Sequence, residues 1–449
     1  MSNRRSLPYV ADSSIYFNRI RGLGNAVYLD SGRPLCPYGR FDIIAAAPAE
    51  QVQFSVDATN GDNPFDQLRA LSSRYAFELE TDPNLPFQGG LIGHFSYDLG
   101  RALESMPDSA QKDTRYPDMV VGVYLWAVVV DHHLERCTLV AAEGTEKSVD
   151  NLQLDQIEAL LTTERNDNSQ FALTGQFHSN VSENEYHSAL KKIDDYIHAG
   201  DCYQVNFAQR FSSGYKGDPW AAYQQLRKAA PVPYAAYIET EHGAILSLSP
   251  EQFLEVKDNK VTTKPIKGTR PRSADKTEDA ALKEELRSST KDRAENLMIV
   301  DLLRNDLSKA CELGTVKVPR LFAVESYRNV HHLVTTVTGE LDKNFSEIDL
   351  LEHCFPGGSI TGAPKIRAME IIDELEPHRR SVYCGSIGYI SFCGQMDTSI
   401  TIRTLLCEDN KIHCWAGGGI VADSVSDMEY EETYNKVNNL LQALENTLS

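Results

Sequence analysis

The sequence predicts a mixed α+β protein, from two stretches of different composition and from its length. Residues from about 8 to 140 are mostly short runs of β-branched and aromatic residues separated by turns, as in "MVVGVYLWAVVVD", which is typical of strands. From Ser182 onwards, strands alternate with amphipathic helices. A chain of 449 residues is too long for one simple core, so we expect two to three domains or one large composite domain.

A change in composition near residue 143 divides the sequence into three segments. We expect a β-rich N-terminal domain over 1–142, a polar linker with one helix ("NLQLDQIEALLTTE") over 143–180, and a second domain over 181–449. The second domain opens with a capping box, in which Ser182 is followed three residues later by Glu185. The helix that begins there is expected to end at Gly200, before a strand in "DCYQVNFAQRF".

The net charge argues against two classes of partner, and the cysteine content indicates the cellular compartment. The 64 acidic and 44 basic side chains give a net charge of -20, which repels nucleic acid and anionic membranes. An anionic substrate would therefore need a local basic pocket or a metal ion. Nine cysteines without a CxxC pair favour a reducing compartment. The start "MSNRRSLPYVADSS" has no apolar signal core and no window approaches ~18 apolar residues, so we expect a cytoplasmic protein.

The C-terminal part carries a glycine run followed by a charged helix. Glu429, Glu432 and Lys436 are spaced to share one helix face, and a salt-bridged solvated helix is the simple alternative. Before them, "WAGGGIVADS" places Gly417–Gly419 after a strand, where a loop would expose backbone N–H groups and admit a ligand. The two features together predict a site in which glycines bind a carboxylate and glutamates hold a cation.

Two other polar stretches leave their meaning open. Glu295 lies at the polar edge of the predicted helix "KDRAENLMIVDLLRNDLSKA", where, taken alone, a surface glutamate is the favoured interpretation. "FPGGSITGAPKIRAM" brings the hydroxyls of Ser359 and Thr361 to a helix start at Pro364, which is typical of an anion-binding helix N-terminus. Helix capping alone would also explain that stretch, and it lacks the GxxxxGK[ST] pattern of a phosphate-binding loop.

Taken together, several stretches resemble the chorismate-utilising enzymes in order and spacing. They are "PIKGTRPR", "ENLMIVDLLRND", "FPGGSITGAPK", "DTSITIRT", "GGGIVADS" and "EYEETYNK". The resemblance covers almost the whole chain and is strongest from about Ser182 to Asn439. It implies a large α+β assembly in which two β-sheets pack face to face with helices outside. It also implies that the N-terminal half interleaves with the chorismate-binding half, without a clean boundary.

The resemblance further implies a set of ligand-binding residues. A Mg²⁺ ion would bridge the ring carboxylate of chorismate and the glutamates Glu295 and Glu432, with Glu429 acting through water, a sparse carboxylate set that suits this ion. The residues that match the other substrate contacts are Gly268, Thr269, Gly417 and Lys436 around the ring carboxylate, and Tyr383, Arg403 and Gly419 around the enolpyruvyl carboxylate. His332 matches the histidine of the family's HLV motif.

Two positions separate members of this family by their reaction. Relatives that add water to the ring use a lysine where this chain has Gln204, and glutamine cannot act as a base. Relatives that make anthranilate carry alanine at the position of Lys267 in "PIKGT". The resemblance therefore implies amination of chorismate to 4-amino-4-deoxychorismate, the precursor of p-aminobenzoate and folate. Anthranilate synthesis is the alternative, and a non-catalytic scaffold is a second one.

The implied chemistry gives Lys267 and Glu251 opposite roles. Replacement of the C4 hydroxyl with retention requires two displacements, in which Lys267 first attacks C2 and ammonia then attacks C4. Glu251, in "LSLSPEQFL", would protonate the departing hydroxyl. We expect burial and Mg²⁺ to lower the pKa of Lys267. We expect the pKa of Glu251 to be raised, so that it keeps its proton.

Ammonia and an effector complete the implied picture. None of the nine cysteines lies in a GxCxG elbow, so ammonia would come from a separate glutamine amidotransferase subunit. "YLDSGRPLCPYGRFD" matches the effector region in which relatives bind tryptophan, and a sheet packed without ligand is the alternative. The matching positions are Ser31, Tyr38, Gly39, Arg40, Phe41, Pro233, Tyr234 and Ala235.

Overall fold

The computed structural model describes residues 4–58, 62–75, 82–142, 151–165, 167–327, 330–446 and 448. Its helices are α1 (Ser14–Ile20), α2 (Pro64–Ser73), α3 (Asn151–Thr162), α4 (Glu183–Ala199), α5 (Pro219–Ala229), α6 (Lys276–Ser288), α7 (Thr290–Ser308), α8 (Glu347–Cys354), α9 (Lys365–Leu375) and α10 (Ser426–Glu445). Its strands are β1 (Arg4–Leu7), β2 (Val27–Asp30), β3 (Phe41–Ala45), β4 (Glu50–Phe54), β5 (Gly90–Phe95), β6 (Met119–Tyr124), β7 (Trp126–Asp131), β8 (Arg136–Ala141), β9 (Phe171–Leu173), β10 (His178–Ser179), β11 (Gln204–Gly217), β12 (Tyr234–Thr240), β13 (Gly243–Ser249), β14 (Gln252–Lys257), β15 (Lys260–Thr263), β16 (Ile266–Pro271), β17 (Lys317–Ser326), β18 (Val330–Glu340), β19 (Gly362–Ala363), β20 (Ser386–Ser391), β21 (Met396–Ile400), β22 (Thr404–Glu408) and β23 (Lys411–Ile420).

These strands form two antiparallel sheets. The large sheet has 13 strands in the order β1-β8-β7-β3-β2-β12-β13-β22-β23-β11-β10, and β9 and β19 also pair with β11. The small sheet has 10 strands in the order β16-β18-β15-β14-β21-β20-β5-β6-β4, with β17 also paired to β18. The predicted α+β class with two sheets and surrounding helices is therefore confirmed.

The alternation of side chains along the strands explains how the layers pack. On β12, Ala236 and Ile238 point into a core shared with small-sheet residues such as Val256. Ala235 and Tyr237 point the other way, into a second core that α1, α3, α5 and α10 cover. One face of the large sheet thus packs on the small sheet and the other face packs on helices.

Both sheets combine strands from distant parts of the sequence. The chain crosses from the small sheet to the large one at Leu125, which separates β6 from β7. The predicted linker, 143–180, contributes α3, β9 and β10. This interleaving agrees with what the resemblance implies, and the division at 142 and 180 stays a prediction about sequence segments.

Short sequence motifs correctly predicted where several helices and turns begin or end. The Ser182 side chain accepts a hydrogen bond from the Glu185 backbone at the start of α4, and Gly200 ends that helix with φ +84°. Asp409 and Asn410, both with positive φ, form the predicted turn between β22 and β23. None of the helices in the described ranges is both long enough and apolar enough to cross a membrane.

A buried histidine in the core gives a testable pH dependence. His94 on β5 is 1% exposed, and burial lowers its pKa to about 4. In the unfolded chain this histidine has a pKa near ~6.5. As the pH falls below that value, the unfolded chain takes up a proton that the folded chain does not, and the free energy of unfolding decreases. We expect the free energy of unfolding to fall by about 2 kcal/mol less in His94→Phe than in wild type between pH 7.5 and 5. Urea unfolding at the two pH values checks this, with the exposed His133→Asn as control, and equal losses in wild type and His94→Phe would contradict it.

Candidate functional site

Lys267 lies on β16, at the edge of the small sheet, where a bulge directs its side chain. The register with β18 shifts between Lys267 and Thr269, so Gly268 is the extra residue. Gly268 has φ +74°, and a Cβ on it would lie 2.8 Å from Leu286 and 2.9 Å from Asp292. Only glycine fits there without strain. The glycine of "PIKGT" therefore sets the path of the strand beside the lysine.

The Lys267 amine is enclosed by polar partners. Its Nζ donates a hydrogen bond to the Ser359 carbonyl oxygen at 3.1 Å and forms an ion pair with Glu295 Oε1 at 3.2 Å. The side chain is only 12% exposed. Lys267 is thus not a solvated charge at a strand end.

Glu251 lies between β13 and β14 and is 5% exposed. The Ser359 hydroxyl donates a hydrogen bond to its Oε1 at 2.7 Å. Burial raises the pKa of Glu251, although the charge of Lys267 and the hydrogen bond from Ser359 oppose the shift. The predicted rise in the pKa of Glu251 is confirmed.

The sequence predicted a lowered pKa for Lys267, and for the protein without a bound cation this prediction is wrong. Burial does lower the pKa of its amine, but the charges of Glu295 and Glu251 outweigh burial and raise it overall. Glu432 adds to the same effect. The sequence prediction considered burial and a cation, and it left out the carboxylates that converge on this amine.

The run Gly417–Gly419 is part of β23, not the loop that its composition suggested. Gly419 pairs with Asn206 and Gly417 with Ala208 on β11, so strand pairing overrides the local glycine signal. A Cβ on Gly419 would collide with the Gln204 amide, and one on Gly418 would lie 3.2 Å from Glu429 Oε2. Because these glycines lack side chains, carboxylates can approach the strand closely.

Three glutamates from α7 and α10 lie around this bare stretch of β23. A Cβ on Gly419 would also lie 3.1 Å from Glu295 Oε1, and Glu432 is the second carboxylate near Gly418. Lys436 Nζ pairs with Glu432 Oε1 at 2.7 Å and donates to the Gly417 carbonyl at 2.8 Å. On the other side, Lys291 Nζ lies 4.0 Å from Glu429 Oε1.

The pKa values of two of these glutamates are shifted in opposite directions. Burial raises the pKa of Glu429, and the neighbouring charge of Glu432 raises it further. Burial also disfavours ionisation of Glu432, but Lys436 outweighs it and lowers the pKa of that carboxyl. The repulsion between these two adjacent carboxylates makes one of them hard to ionise, and a bound cation would reduce that repulsion.

The donor set fits a magnesium ion that shares its coordination with a ligand. Within the described ranges, no group of three or more histidine, cysteine or acidic side chains is arranged to hold a metal by itself. Mg²⁺ usually takes only one or two protein carboxylates and completes its octahedron with water and substrate oxygens. Glu295 Oε1 lies 3.1 Å from the Cβ position of Gly419, and Glu432 Oε1 lies 3.9 Å from that of Gly418, so both carboxylates approach the same bare stretch of β23.

Arg403 is a partly buried cation whose guanidinium has no hydrogen bond or ion pair with protein groups in the described part of the chain. Its pKa is lowered by burial alone, because no carboxylate compensates the desolvation. It also has φ +51°, a left-handed conformation that is unusual for a residue other than glycine. An unpaired, partly buried cation in a strained conformation is typical of a binding site for an anion.

His332 and Thr269 face one another across the β16–β18 pair. Their Nδ1 and Oγ1 atoms are 2.9 Å apart. Burial and the nearby charge of Arg403 lower the pKa of His332 to about 4, so the imidazole is neutral at neutral pH.

Tyr383 is also buried, with its ring stacked on Trp415 at a centroid distance of 6.3 Å. Burial raises the pKa of Tyr383 well above its usual range, so its hydroxyl remains a donor.

The predicted effector residues come together at a second place. Ala235 pairs with Asp30 on β2, which puts Pro233–Ala235 beside Ser31. Ser31 Oγ donates to Asp42 Oδ1 at 2.6 Å. Nearby, the Tyr38 hydroxyl donates to the Ser326 carbonyl at 2.6 Å. The remaining contacts there are the ion pair of Arg40 with Asp131 at 2.9 Å and the packing of the Arg40 guanidinium on the Phe41 ring. Tryptophan binding at this place stays a prediction.

Sequence reasoning missed three residues of the main site. Ser359 was noted only as a hydroxyl near a helix start, yet it contacts both Lys267 and Glu251. Ser424, whose hydroxyl donates to Glu429 Oε1 at 2.8 Å, follows the glycine run closely enough to have been suspected. Lys291 carries no local signal, because its ion pair with Glu429 joins α7 to α10, which are far apart in the sequence.

Similarity to known proteins agrees with this arrangement. The family described as chorismate binding enzyme matches residues 24–442. The chain belongs to the chorismate-binding enzymes. Among curated members of this family, aminodeoxychorismate synthase component 1 from Escherichia coli is 47% identical over 443 residues, covering 96% of each chain. Anthranilate synthase component 1 from Thermus thermophilus is 39% identical over 413 residues, covering 90% of this chain and 89% of its own.

Solved structures of chorismate-binding enzymes share the fold. Anthranilate synthase component I from Streptococcus pneumoniae superimposes with a TM-score of 0.79 at 31% identity, covering 90% of this chain and 92% of its own. The menaquinone-specific isochorismate synthase from Escherichia coli gives 0.75 at 19% identity, covering 98% of this chain and 94% of its own. The second likeness concerns the fold alone.

Proposed function

We propose that this chorismate-binding enzyme replaces the C4 hydroxyl of chorismate by an amino group and forms 4-amino-4-deoxychorismate. The observation that carries the proposal is the buried Lys267 amine, joined through Ser359 to a buried Glu251 whose pKa is raised. This pair supplies a nucleophile and an acid at one place. The similarity to proteins called aminodeoxychorismate synthase component 1 supports the same activity.

Chorismate is a dianion, and the site offers a separate cationic region for each carboxylate. Arg403 would bind the enolpyruvyl carboxylate with help from the Tyr383 hydroxyl and the Gly419 backbone. The ring carboxylate would lie near Lys436 and Gly417 on one side and Gly268 and Thr269 on the other. This arrangement explains how a protein with a net charge of -20 can hold an anionic substrate.

Glu295 and Glu432 would hold Mg²⁺, with Glu429 in support. Bound there, the ion would neutralise the ring carboxylate and offset the charge of Glu295, which favours nucleophilic attack on the ring and weakens the support for the ammonium form of Lys267.

In the first step, the Lys267 amine forms a bond to C2 of the ring. The two ring double bonds shift by one position each, and the C4–O bond breaks. Glu251 gives its proton to the departing oxygen, which leaves as water. The product of this step is a secondary ammonium group, which keeps both protons of the Lys267 amine and links the enzyme to the ring.

In the second step, ammonia attacks C4 and the double bonds return to their first positions. The C2–N bond breaks, Lys267 recovers its electron pair, and the proton that the new amine loses returns to the Glu251 carboxylate. Gln204 lies beside Glu295, with its Nε2 3.4 Å from Oε1, and it cannot deprotonate water. Attack by water is therefore disfavoured at this place.

Ammonia would come from a second protein. The relatives are named component 1, which implies a partner component. A glutamine amidotransferase fits this role, because the chain has no GxCxG elbow of its own. We further propose that the region around Ser31 and Pro233–Ala235 binds tryptophan.

Arg403→Gln tests the substrate contact that the structure singles out. We expect chorismate binding to weaken about 10- to 100-fold, the loss typical of a charge-assisted hydrogen-bonded pair. The free energy of unfolding should stay equal or rise, because a partly buried, unpaired guanidinium is removed. Chorismate titration and urea unfolding measure both, with the exposed Arg304→Gln as control. Lower stability with unchanged chorismate binding would mean that Arg403 has a structural role.

One incubation tests the proposed function. The protein is mixed with chorismate, Mg²⁺ and ammonium at high pH, and the products are separated by chromatography. We expect 4-amino-4-deoxychorismate. Anthranilate would support the alternative synthase instead, isochorismate would mean that water is the nucleophile, and unreacted chorismate would favour a scaffold.

A further inference from the structure

One residue touches both members of the reactive pair. Ser359 belongs to the 3-10 turn Gly358–Ile360 and is buried. Its hydroxyl donates to Glu251 Oε1 at 2.7 Å, and its carbonyl oxygen accepts from Lys267 Nζ at 3.1 Å. Glu251 immediately precedes β14 and Lys267 lies on β16, so this turn is a direct bridge between two separate segments.

The turn that carries Ser359 is held from several directions. Arg380, which is 1% exposed, donates to the Ile360 carbonyl at 3.0 Å and to the Asn206 carbonyl at 2.6 Å. Glu376 fixes that guanidinium with two further hydrogen bonds, at 2.9 and 2.6 Å. Gly358 packs so tightly on Leu302 that a Cβ there would lie 2.6 Å from it. The position of Ser359 is thus set by groups that do not themselves contact Lys267 or Glu251.

We propose that Ser359 is a positioning residue that selects the oxygen of Glu251 from which the proton is delivered and that fixes the spacing between this acid and Lys267. A hydroxyl that donates to Oε1 occupies that oxygen as an acceptor, so the acidic proton resides on Oε2. Oε2 is then the oxygen that would deliver the proton to the leaving hydroxyl. The carbonyl of the same residue holds the amine, so one rigid turn orders both reagents. This inference rests on the proposed function.

A neighbouring hydroxyl shows that the turn itself does not need Ser359. Thr361 Oγ1 lies 3.2 Å from the Gly357 carbonyl and 3.3 Å from the Gly358 carbonyl, to which it donates. Thr361 therefore braces the backbone of the turn, while the only side-chain hydrogen bond of Ser359 in the described structure goes to Glu251. Removal of the Ser359 hydroxyl should leave the turn folded.

Ser359→Ala and Ser359→Thr test the proposal. In Ser359→Ala we expect kcat to fall about 10- to 100-fold, because a hydrogen bond to an ionisable group is lost. KM for chorismate should not change, because Ser359 is not among the groups proposed to hold the substrate carboxylates. Ser359→Thr keeps the hydroxyl and should recover most of the rate. A loss in KM rather than kcat, or no loss in kcat, would overturn the proposal.

A double-mutant cycle separates positioning from a general structural effect. If Ser359 acts through Glu251, the Ser359→Ala change should add no further loss in a Glu251→Gln background. An equal loss in both backgrounds would mean that Ser359 supports the fold only. Thermal unfolding of each variant confirms that it is folded.

A spectroscopic readout keeps this test apart from the proposed function. The C=O stretch of protonated Glu251, assigned by its absence in Glu251→Gln, should move to higher wavenumber in Ser359→Ala, because its hydrogen bond is lost. This measurement needs no turnover. A shifted band in a protein that makes no aminodeoxychorismate would leave the contact standing and reject the function. An unshifted band in an active enzyme would reject the role of Ser359 alone.

Discussion

Replacing Lys267 with alanine should abolish the covalent step and lower the rate of 4-amino-4-deoxychorismate formation at least about 10³-fold, as expected when the nucleophile of a covalent mechanism is lost. The reason is structural. Within the described structure, Lys267 is the amine that donates to the Ser359 carbonyl and pairs with Glu295, so a substitute nucleophile would have to come from elsewhere. Steady-state rates with ammonium as nitrogen source provide the measurement.

The matched control for this change is Lys260→Ala. Lys260 begins β15, close to Lys267 in sequence, and its side chain is exposed. Its removal should leave the rate unchanged. If Lys267→Ala kept wild-type formation of aminodeoxychorismate, the covalent role of Lys267 would have to be abandoned, whatever the control did.

Replacing Glu251 with glutamine should lower the rate of the same reaction about 10²- to 10⁴-fold, the range for loss of a general acid. Glutamine has nearly the same shape and can still accept from the Ser359 hydroxyl, but it has no proton to give to the departing oxygen. Chorismate binding should be unchanged, because Glu251 is not among the groups proposed to hold the substrate carboxylates. Rapid-mixing measurement of adduct formation checks the step directly.

Glu255→Gln provides the control for Glu251→Gln. Glu255 lies on β14, four residues further along the chain, and is partly buried, yet it has no contact with Ser359 or Lys267 in the described structure. We expect near wild-type rates for it. A Glu251→Gln enzyme that forms the adduct at the wild-type rate would mean that another group protonates the leaving hydroxyl.

Much of the fold could be predicted because its signals are local. The capping box at Ser182, the left-handed Gly200 and the Asp409-Asn410 turn each depend on a few neighbouring residues. The glycine run at Gly417–Gly419 misled for the opposite reason. Local composition indicated a loop, but pairing with β11, which is more than 200 positions away in the sequence, makes it a strand.

The site shows the same division between local and distant causes. The raised pKa of Glu251 follows from burial of an acidic side chain in an apolar segment, which the sequence suggests. The raised pKa of Lys267 depends on Glu295 and Glu432, which reach it from α7 and α10. The bridging role of Ser359 likewise needs the three-dimensional arrangement of three separate segments. No spacing rule within one segment contains that information.

The central claim is that the Lys267 amine bonds to the ring before ammonia does, and the mass of the intact protein tests it most directly. The protein is incubated with chorismate and Mg²⁺ without ammonia, quenched in acid and mapped by peptide mass spectrometry. The account predicts a mass increase equal to chorismate less one water, located on Lys267 and absent from Lys267→Ala. It also predicts that added ammonium removes the adduct as 4-amino-4-deoxychorismate appears. An enzyme that makes this product while no adduct forms at any time, or an adduct on another residue, would contradict the claim.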